Sequence, residues 1–165
     1  MLACGACFTP GIVEHHEYYR LFTSMFLHFG IQHLVNNMLV LFVLGGRLEH
    51  VVGKIRFLLI YLLGGLCGNI LSCVVELAKD KYAISAGASG ATFAILGALV
   101  FLLIKNQGRV EDLSSRQIAV MLILSLYMGF TSTGVDNMAH IGGVLGGFLT
   151  AFATHLVSVA RQNAD

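Results

Sequence analysis

Charged residues are scarce in this chain, and what it lacks excludes several classes of protein. Only 12% of its 165 residues are Asp, Glu, Lys or Arg, about half the share found in soluble domains. The net charge of +1 argues against a nucleic acid partner. The sequence contains no HExxH motif, which excludes a zinc protease of that type.

Cysteine is also sparse, with four residues in the chain. Cys67 and Cys73 lie in an apolar run, where we expect both to be small buried hydrophobic residues. Cys4 and Cys7 form a CxxC pair, but one such pair without a second is a weak sign of a metal or redox site. The four cysteines therefore do not predict a disulfide framework.

Long apolar segments dominate instead. Five windows contain no Asp, Glu, Lys or Arg, and each approaches or exceeds the length of about 20 residues that a membrane-spanning helix needs. The windows are 21–46, 57–75, 82–104, 117–135 and 137–160. We therefore expect an all-α polytopic membrane protein with a single domain over residues 1–165. Residues 1–29 would form an outer loop, and residues 31–160 the transmembrane helices with their loops.

Lys and Arg favour one orientation of these helices, because such residues concentrate in cytoplasmic loops. With the N-terminus outside, the residues in inner loops are Arg47, Lys54, Arg56, Lys105, Arg109, Arg116 and Arg161. Only Arg20, Lys79 and Lys81 then lie outside. We expect this orientation, with the C-terminus in the cytoplasm. The start of the chain does not resemble a signal peptide. Either the first span inserts unaided or a preceding helix is missing from this chain, and we favour the missing helix.

Two spans are shorter than their windows. Gly30 interrupts the first, so we expect a helix from near Ile31 to near Gly46, preceded by an apolar loop. The third helix should start at Ser89 and reach Ile104, a length of roughly 24 Å at about 1.5 Å per residue. Because the hydrocarbon core is about 30 Å thick, Ser89 would lie below the outer surface. The loop before it would descend into the bilayer, which predicts a water-accessible cavity.

Ser89 has two possible roles at this position. The N–H groups in the first turn of a helix have no intrahelical partner, and the helix dipole is positive there. A developing oxyanion would be stabilised at such a place. Gly87 and Gly90 would let a substrate backbone approach closely. The alternative is that a serine between small residues serves helix packing, which is common in membranes.

His140 lies near the start of the last window, at the same depth as Ser89. Gly142 with Gly146, and Gly143 with Gly147, form two overlapping GxxxG patterns that permit close approach of another helix. If that helix is the one starting at Ser89, the imidazole could act as the base for the hydroxyl. His140 could instead bond to a backbone carbonyl. Asp136 could orient it, although at the membrane edge we expect this carboxylate to face water.

His33 and Asn37 are four residues apart and share one face of the first helix. Both can donate hydrogen bonds to an oxyanion, and Asn36 is a rival for the same role. Three separate segments therefore bring a serine, a histidine and a His/Asn pair to one depth. Polar groups inside the membrane are costly, so their coincidence favours a functional site.

The segments HFGIQHLVNN, GASGATFAILG and AHIGG, in this order, resemble the rhomboid intramembrane serine proteases. EYYRLFT resembles the aromatic-Arg motif of the family's first outer loop, with Arg20 as its arginine. GGRLEHVVG resembles the segment that closes the second family helix, with Glu49 in the place of a structural glutamate. The family fold has six helices, so this chain resembles a rhomboid that lacks the first.

This resemblance implies that Ser89 is the nucleophile and His140 the general base, in a dyad without an aspartate. His33, Asn37 and the Ser89 backbone N–H would form the oxyanion hole, since the family's HxxxN pattern selects Asn37 over Asn36. Phe93 stands where the best-known members have tyrosine, and its ring can still stack on His140.

The resemblance also implies substrates and surroundings. The substrates would be transmembrane or juxtamembrane segments of membrane proteins, and the chain would reside in a lipid bilayer, expected to be a bacterial plasma membrane. Neither a metal nor another cofactor is needed. Two other functions remain open from the residues. One is a non-catalytic rhomboid-like protein that binds transmembrane helices, and the other is a protein that binds haem or relays protons through His28, His33 and His140.

Overall fold

The computed structural model of this chain describes residues 1–110, 113–131 and 133–162, with side chains as far as residue 157. Arg161, expected in an inner loop, therefore lies outside the described side chains. The N-terminal part contains the short helices Thr9–Glu14 (α1) and Arg20–Thr23 (α2), with 3₁₀ turns at Leu2–Cys4 and Ser24–Phe26. Pro10 stands in the first turn of α1, where its missing N–H costs nothing.

The first long helix runs from Ile31 to Val52 without a break. It consists of Ile31–Val40 (α3), a π-helical turn at Leu41–Gly45 and Gly46–Val52 (α4). The predicted start at Ile31 is confirmed, but the predicted end near Gly46 is wrong. Gly45 and Gly46 have helical φ angles of −64° and −58°, so neither glycine terminates the helix. The helix ends at Gly53, which has a φ of +83°.

Four further helices follow in the described part of the chain. They are Lys54–Lys79 (α5), Ser89–Lys105 (α6), Ser115–Thr131 (α7) and Asn137–Gln162 (α8). Among the described residues, Ile31–Val52, α5 and Asn137–Val157 of α8 are long and apolar enough to cross a membrane, while α6 and α7 are shorter apolar helices. The two-residue strands Arg109–Val110 (β1) and Leu113–Ser114 (β2) pair antiparallel between α6 and α7.

The five helical segments correspond to the five apolar windows of the sequence. Helix α6 begins at Ser89, as predicted, and it forms the buried centre of the bundle. Large apolar side chains cover the outside of the other helices, with Phe42 83% and Ile55 79% exposed. Because water would make such a surface unstable, this exterior fits a lipid environment.

Glycines allow α5, α6 and α8 to pack with their backbones in contact. A Cβ atom on Gly143 would overlap the carbonyl oxygen of Gly90, and one on Gly147 would overlap that of Ala94. On the other side of α8, a Cβ atom on Gly142 would lie 2.8 Å from the carbonyl oxygen of Cys67. The close approach predicted from the GxxxG patterns is therefore confirmed. It brings α8 against α6 and α5 at once.

The expected burial of the two membrane cysteines is correct for only one of them. Cys73 is buried, but Cys67 is exposed. Cys67 lies beside Gly142 and Gly146 of α8, with its carbonyl oxygen near the first and its side chain near the second, while part of its surface stays uncovered. An apolar window does not reveal which residues face the bundle.

Candidate active site

A cavity of about 800 Å³ opens where α6 and α8 begin. It is lined by residues from α3, α5, the loop before α6, α6 itself, α7 and α8. The candidate residues among them are His33, Asn36, Asn37, Gly87, Ser89, Gly90, Phe93 and His140. The fold therefore brings together side chains that lie more than one hundred positions apart in the sequence.

Ser89 is the first residue of α6 and is half-buried at the wall of this cavity. Its carbonyl oxygen accepts a hydrogen bond of 2.9 Å from the Thr92 hydroxyl. The N–H groups of this first turn have no partner within the helix and carry the positive end of its dipole. A serine hydroxyl here lies beside donors that could stabilise an anion.

The loop before Ser89 contacts the His33 ring at Gly87. Gly87 has a φ of +146°, and a Cβ atom on it would lie 2.7 Å from His33 Cε1. Glycine is therefore required both by the backbone conformation and by the imidazole. The Gly87 N–H donates to the carbonyl oxygen of Ser24 at 2.9 Å, which fixes the loop on the segment before α3.

His28 supports the next residue of the same loop. The Ala88 N–H donates to His28 Nε2 at 3.4 Å, and the His28 ring stands edge-on to that of His33, with centroids 5.1 Å apart. Burial lowers the pKa of His28, and the nearby His33 lowers it further. The neutral form is the one that can accept a hydrogen bond at Nε2.

His140 is 7% exposed and stacks on Phe93, with ring centroids 4.1 Å apart and planes 13° apart. Within the described chain, no hydrogen bond joins its imidazole to the Ser89 hydroxyl, and its Nδ1 atom is buried without a partner. The catalytic hydrogen bonds of apo enzymes are often long and shorten only with substrate bound. The cavity gives the two groups a common space for such a contact.

Asp136 neither orients His140 nor faces water alone. Its carboxylate accepts hydrogen bonds from the Ser72 hydroxyl at 2.7 Å and from the Ala139 N–H at 2.9 Å. The second bond satisfies a first-turn donor of α8, so the residue acts as the helix cap. Asp136 is half-buried and lines the cavity, so it faces water only in part while it also contacts Ser72 of α5.

His33 and Asn37 both lie at the cavity, as does Asn36. Asn37 is 5% exposed, and one of its amide hydrogens is donated to the carbonyl oxygen of His33 at 2.9 Å. An amide nitrogen carries two hydrogens, so one remains available to a ligand. Asn36 is exposed on the same helix. Because both asparagines line the cavity, their position alone does not select one of them as the oxyanion donor.

Arg20 and Glu49 lie away from the cavity. Arg20 donates from Nη1 to the carbonyl oxygens of Leu2 and Ala6, at 2.8 and 3.0 Å, and from Nε to Glu17 at 2.6 Å. This hydrogen bond lowers the pKa of Glu17. The arginine therefore holds the N-terminal segment in place. Glu49 is half-buried in α4, near the opposite end of that helix from His33.

The structure adds one buried polar residue that the sequence analysis missed. Asn69 of α5 lines the cavity and donates to the carbonyl oxygen of Leu21 at 2.7 Å and to the Ser24 hydroxyl at 3.0 Å. It joins the bundle to the segment that precedes α3. Its position within a charge-free window was a usable signal, since polar side chains inside spans are costly.

Comparison with known proteins gives a consistent result. A family model described as "Rhomboid domain" matches residues 15–157. The chain is 41% identical over 145 residues to the rhomboid protease GluP of Bacillus subtilis, a match covering 88% of this chain and 28% of that protein. It is 41% identical over 149 residues to RHOMBOID-like protein 7 of Arabidopsis thaliana, covering 90% of this chain and 46% of that protein. RHOMBOID-like protein 2 of the same plant is 42% identical with the same coverage. The chain thus spans less than half the length of these relatives.

Proposed function

The chain belongs to the rhomboid family and is an integral membrane protein, and we propose that it is an intramembrane serine endopeptidase. Its substrates are transmembrane or juxtamembrane segments of other membrane proteins. The similarity to a bacterial protein named a rhomboid protease supports this assignment. The cavity that joins Ser89, His140, His33 and Asn37 is the observation that carries it.

Ser89 is the nucleophile in this proposal, and His140 is its general base. The imidazole takes the hydroxyl proton while the Ser89 oxygen attacks the scissile carbonyl carbon. His140 then gives the proton to the leaving amine, and an acyl-enzyme remains. Water entering the cavity then hydrolyses the ester. His140 takes a proton from the attacking water and gives it to the Ser89 oxygen as the acyl group leaves.

The negative charge on the carbonyl oxygen needs donors in place before the reaction. We assign this role to the Ser89 backbone N–H at the start of α6, the free amide hydrogen of Asn37 and the His33 ring. Donors fixed by the fold need no reorganisation as the charge develops, which is why they lower the barrier. The contact between His33 and Gly87 holds that ring against the loop leading to Ser89.

The substrate must reach Ser89 as an extended segment, because a helical backbone has its carbonyl groups in internal hydrogen bonds. Gly87 and Gly90 line the cavity on either side of the Ser89 hydroxyl. We propose that the substrate helix reaches the cavity from the bilayer and unwinds there. The chain would lie with its N-terminus outside and its C-terminus in the cytoplasm, in a bacterial plasma membrane.

A cleavage assay tests the proposal directly. The full chain would be reconstituted in liposomes with a fluorescent reporter that contains one transmembrane helix. Ser89→Ala and His140→Ala should each abolish cleavage, whereas Ser125→Ala, which removes another hydroxyl at the cavity, should retain most of it. Cleavage that continues in Ser89→Ala would refute the proposed nucleophile. Binding of the reporter without cleavage by the unmutated chain would indicate a non-catalytic binder.

A further inference from the structure

The thiols of Cys7 and Cys73 meet where the N-terminal segment contacts α5. Their Sγ atoms are 3.8 Å apart, across a separation of 66 positions in the sequence. Both residues are buried, with 4% and 7% of their surfaces exposed. We propose that these two cysteines form a disulfide bond, which makes this pair a covalent modification site that fastens the N-terminal segment to the bundle.

The backbone on either side of Cys7 is already held in place. Cys7 and Ser85 exchange two backbone hydrogen bonds, of 2.8 and 3.0 Å. Two residues later, the Thr9 hydroxyl donates to Glu76 of α5 at 2.5 Å. The segment is therefore held beside Cys73, and the two sulfurs must close from 3.8 Å to about 2.05 Å to form a disulfide.

The reaction is a thiol–disulfide exchange with an oxidised small thiol such as glutathione disulfide. A thiolate of the pair attacks one sulfur of the oxidant and releases one glutathione thiol. The other cysteine then attacks the mixed disulfide and releases the second. The S–S bond of the oxidant breaks, the Cys7–Cys73 bond forms, and the protons of the two protein thiols end on the two glutathione molecules.

The consequence concerns the cavity, because Ser85 lines it. Cys7 pairs with Ser85, which stands four positions before Ser89 in the same loop. A disulfide at Cys7 therefore ties one cavity wall to α5 through a covalent bond and a backbone pair. Oxidised and reduced chains would differ in how firmly this loop is held.

Mass spectrometry provides the test. The full chain in detergent micelles would be treated with glutathione disulfide, blocked with iodoacetamide and digested. We expect a cross-linked peptide joining Cys7 to Cys73 that disappears after reduction. Cys67→Ser should leave the cross-link intact, because Cys67 is exposed elsewhere on α5. Alkylation of all four cysteines after oxidation, or a cross-link that joins Cys4 to Cys7 instead, would overturn the proposal.

A second readout needs no catalysis. Oxidised protein should unfold several degrees above reduced protein, because a cross-link between distant residues restricts the unfolded chain. Cys73→Ser should show no difference between the two conditions. An equal shift in Cys73→Ser would contradict the assignment. Neither result depends on the proposed protease activity, so the two proposals fail separately.

A different observation concerns Asn137 and His140, which carry the two buried side-chain atoms that lack partners among the described residues. These atoms are Asn137 Oδ1 and His140 Nδ1. Both lie against Gly129 of α7, where a Cβ atom would be 2.5 Å from the first and 3.4 Å from the second. An unsatisfied buried polar atom is rare in folded proteins and calls for an explanation.

We infer that Asn137 is a positioning residue whose carboxamide oxygen accepts the Nδ1–H of His140. The inference rests on the proposed function of His140 as the base. The Asn137 amide nitrogen donates to the Gly129 carbonyl oxygen at 3.2 Å, which turns its oxygen toward the space shared with the imidazole. With the proton held on Nδ1, the Nε2 atom keeps its lone pair for the Ser89 hydroxyl.

The charged and titratable groups facing His140 are few. Asp136 lies one turn before it and His33 lies across the cavity. Asp136 is already committed to Ser72 and to the Ala139 N–H. Asn137 is therefore the acceptor that remains for Nδ1, in a dyad that has no aspartate of its own.

The pH–rate profile of reporter cleavage distinguishes positioning from simple packing. An acceptor at Nδ1 stabilises the protonated imidazole, and a carboxylate does so more strongly. The acidic limb should move to lower pH in Asn137→Ala and to higher pH in Asn137→Asp. We also expect Asn137→Ala to lower cleavage about fivefold to tenfold, the effect of one neutral hydrogen bond.

Two outcomes separate this inference from the proposed function. If the unmutated chain cleaves the reporter while the acidic limb stays fixed in both variants, Asn137 has only a packing role. If the unmutated chain neither cleaves the reporter nor reacts at Ser89 with a fluorophosphonate probe, the proposed function itself fails. Far-ultraviolet circular dichroism of each variant would show whether a general loss of structure causes the change in cleavage.

Discussion

Phe93 and His140 form a stacked pair, with centroids 4.1 Å apart and an angle of 13° between their rings. Phe93 lies one helical turn after Ser89 on α6, and His140 lies in the first turn of α8. The stack therefore sets the position of the imidazole relative to the helix that carries the hydroxyl. The contact joins the faces of two aromatic rings, so it needs no phenolic oxygen.

Removing this stack should impair catalysis as well as stability. Phe93→Ala deletes a ring that is 7% exposed, and we expect a loss of about 3–5 kcal/mol in stability. The cleavage rate per folded molecule should fall as well, since the imidazole loses its support. Phe101→Ala serves as the control, because Phe101 is equally buried but packs on Phe148 away from the cavity. Equal cleavage rates for the two folded variants would contradict this role.

Gly143 should tolerate no side chain. A methyl group there would overlap the Gly90 carbonyl oxygen, so Gly143→Ala must push α8 away from α6. We expect loss of cleavage together with a lower thermal midpoint. Gly46→Ala is the matched control, because no atom lies within 4 Å of a Cβ atom at that position and alanine favours the helix by roughly 0.5–1 kcal/mol. A stable, active Gly143→Ala variant would show that the close helix contact is not required.

Asn37 should matter more than Asn36. Asn37→Ala removes a proposed oxyanion donor, and such a loss lowers the rate by about 10²–10³. Asn36 is exposed on the same helix, so Asn36→Ala should change the rate little. The measurement is kcat for reporter cleavage by both variants at saturating substrate. The reverse ranking would move the donor role to Asn36.

Acid should weaken the loop that precedes Ser89. The pKa of His28 is lower in the folded chain than its ordinary value of about 6.5. The neutral ring therefore contributes stability that is present above that value and is lost as the pH falls toward the folded pKa. Thermal midpoints measured from pH 7.5 to 5 should decline less steeply in His28→Phe than in the unmutated chain. Parallel curves would exclude His28 as a source of the acid sensitivity.

Much of this arrangement follows from local sequence features. The charge-free windows predict the five apolar helices, and the break at Gly30 predicts the start of α3 at Ile31. The small residues before Ser89 predict where α6 begins. These signals are local, since helix termini depend on the few residues around them.

Features that depend on distant partners could not be predicted in this way. The helix continues through Gly45 and Gly46, and Gly45 packs closely against Phe57 and Ile95, whereas a glycine read in isolation indicates an end. Asp136 turns to Ser72, which is 64 positions away. The pairing of Cys7 with Cys73 likewise depends on how the N-terminal segment folds back on α5. Local patterns carry no information on such contacts.

Covalent labelling tests whether Ser89 is a nucleophile activated by His140. The full chain in detergent micelles would be incubated with a fluorophosphonate probe and analysed by peptide mass spectrometry. We expect one phosphonyl adduct per chain, located on Ser89, which is absent from Ser89→Ala and strongly reduced in His140→Ala. An unlabelled Ser89 in folded protein, or labelling that persists in His140→Ala at the original rate, would contradict it.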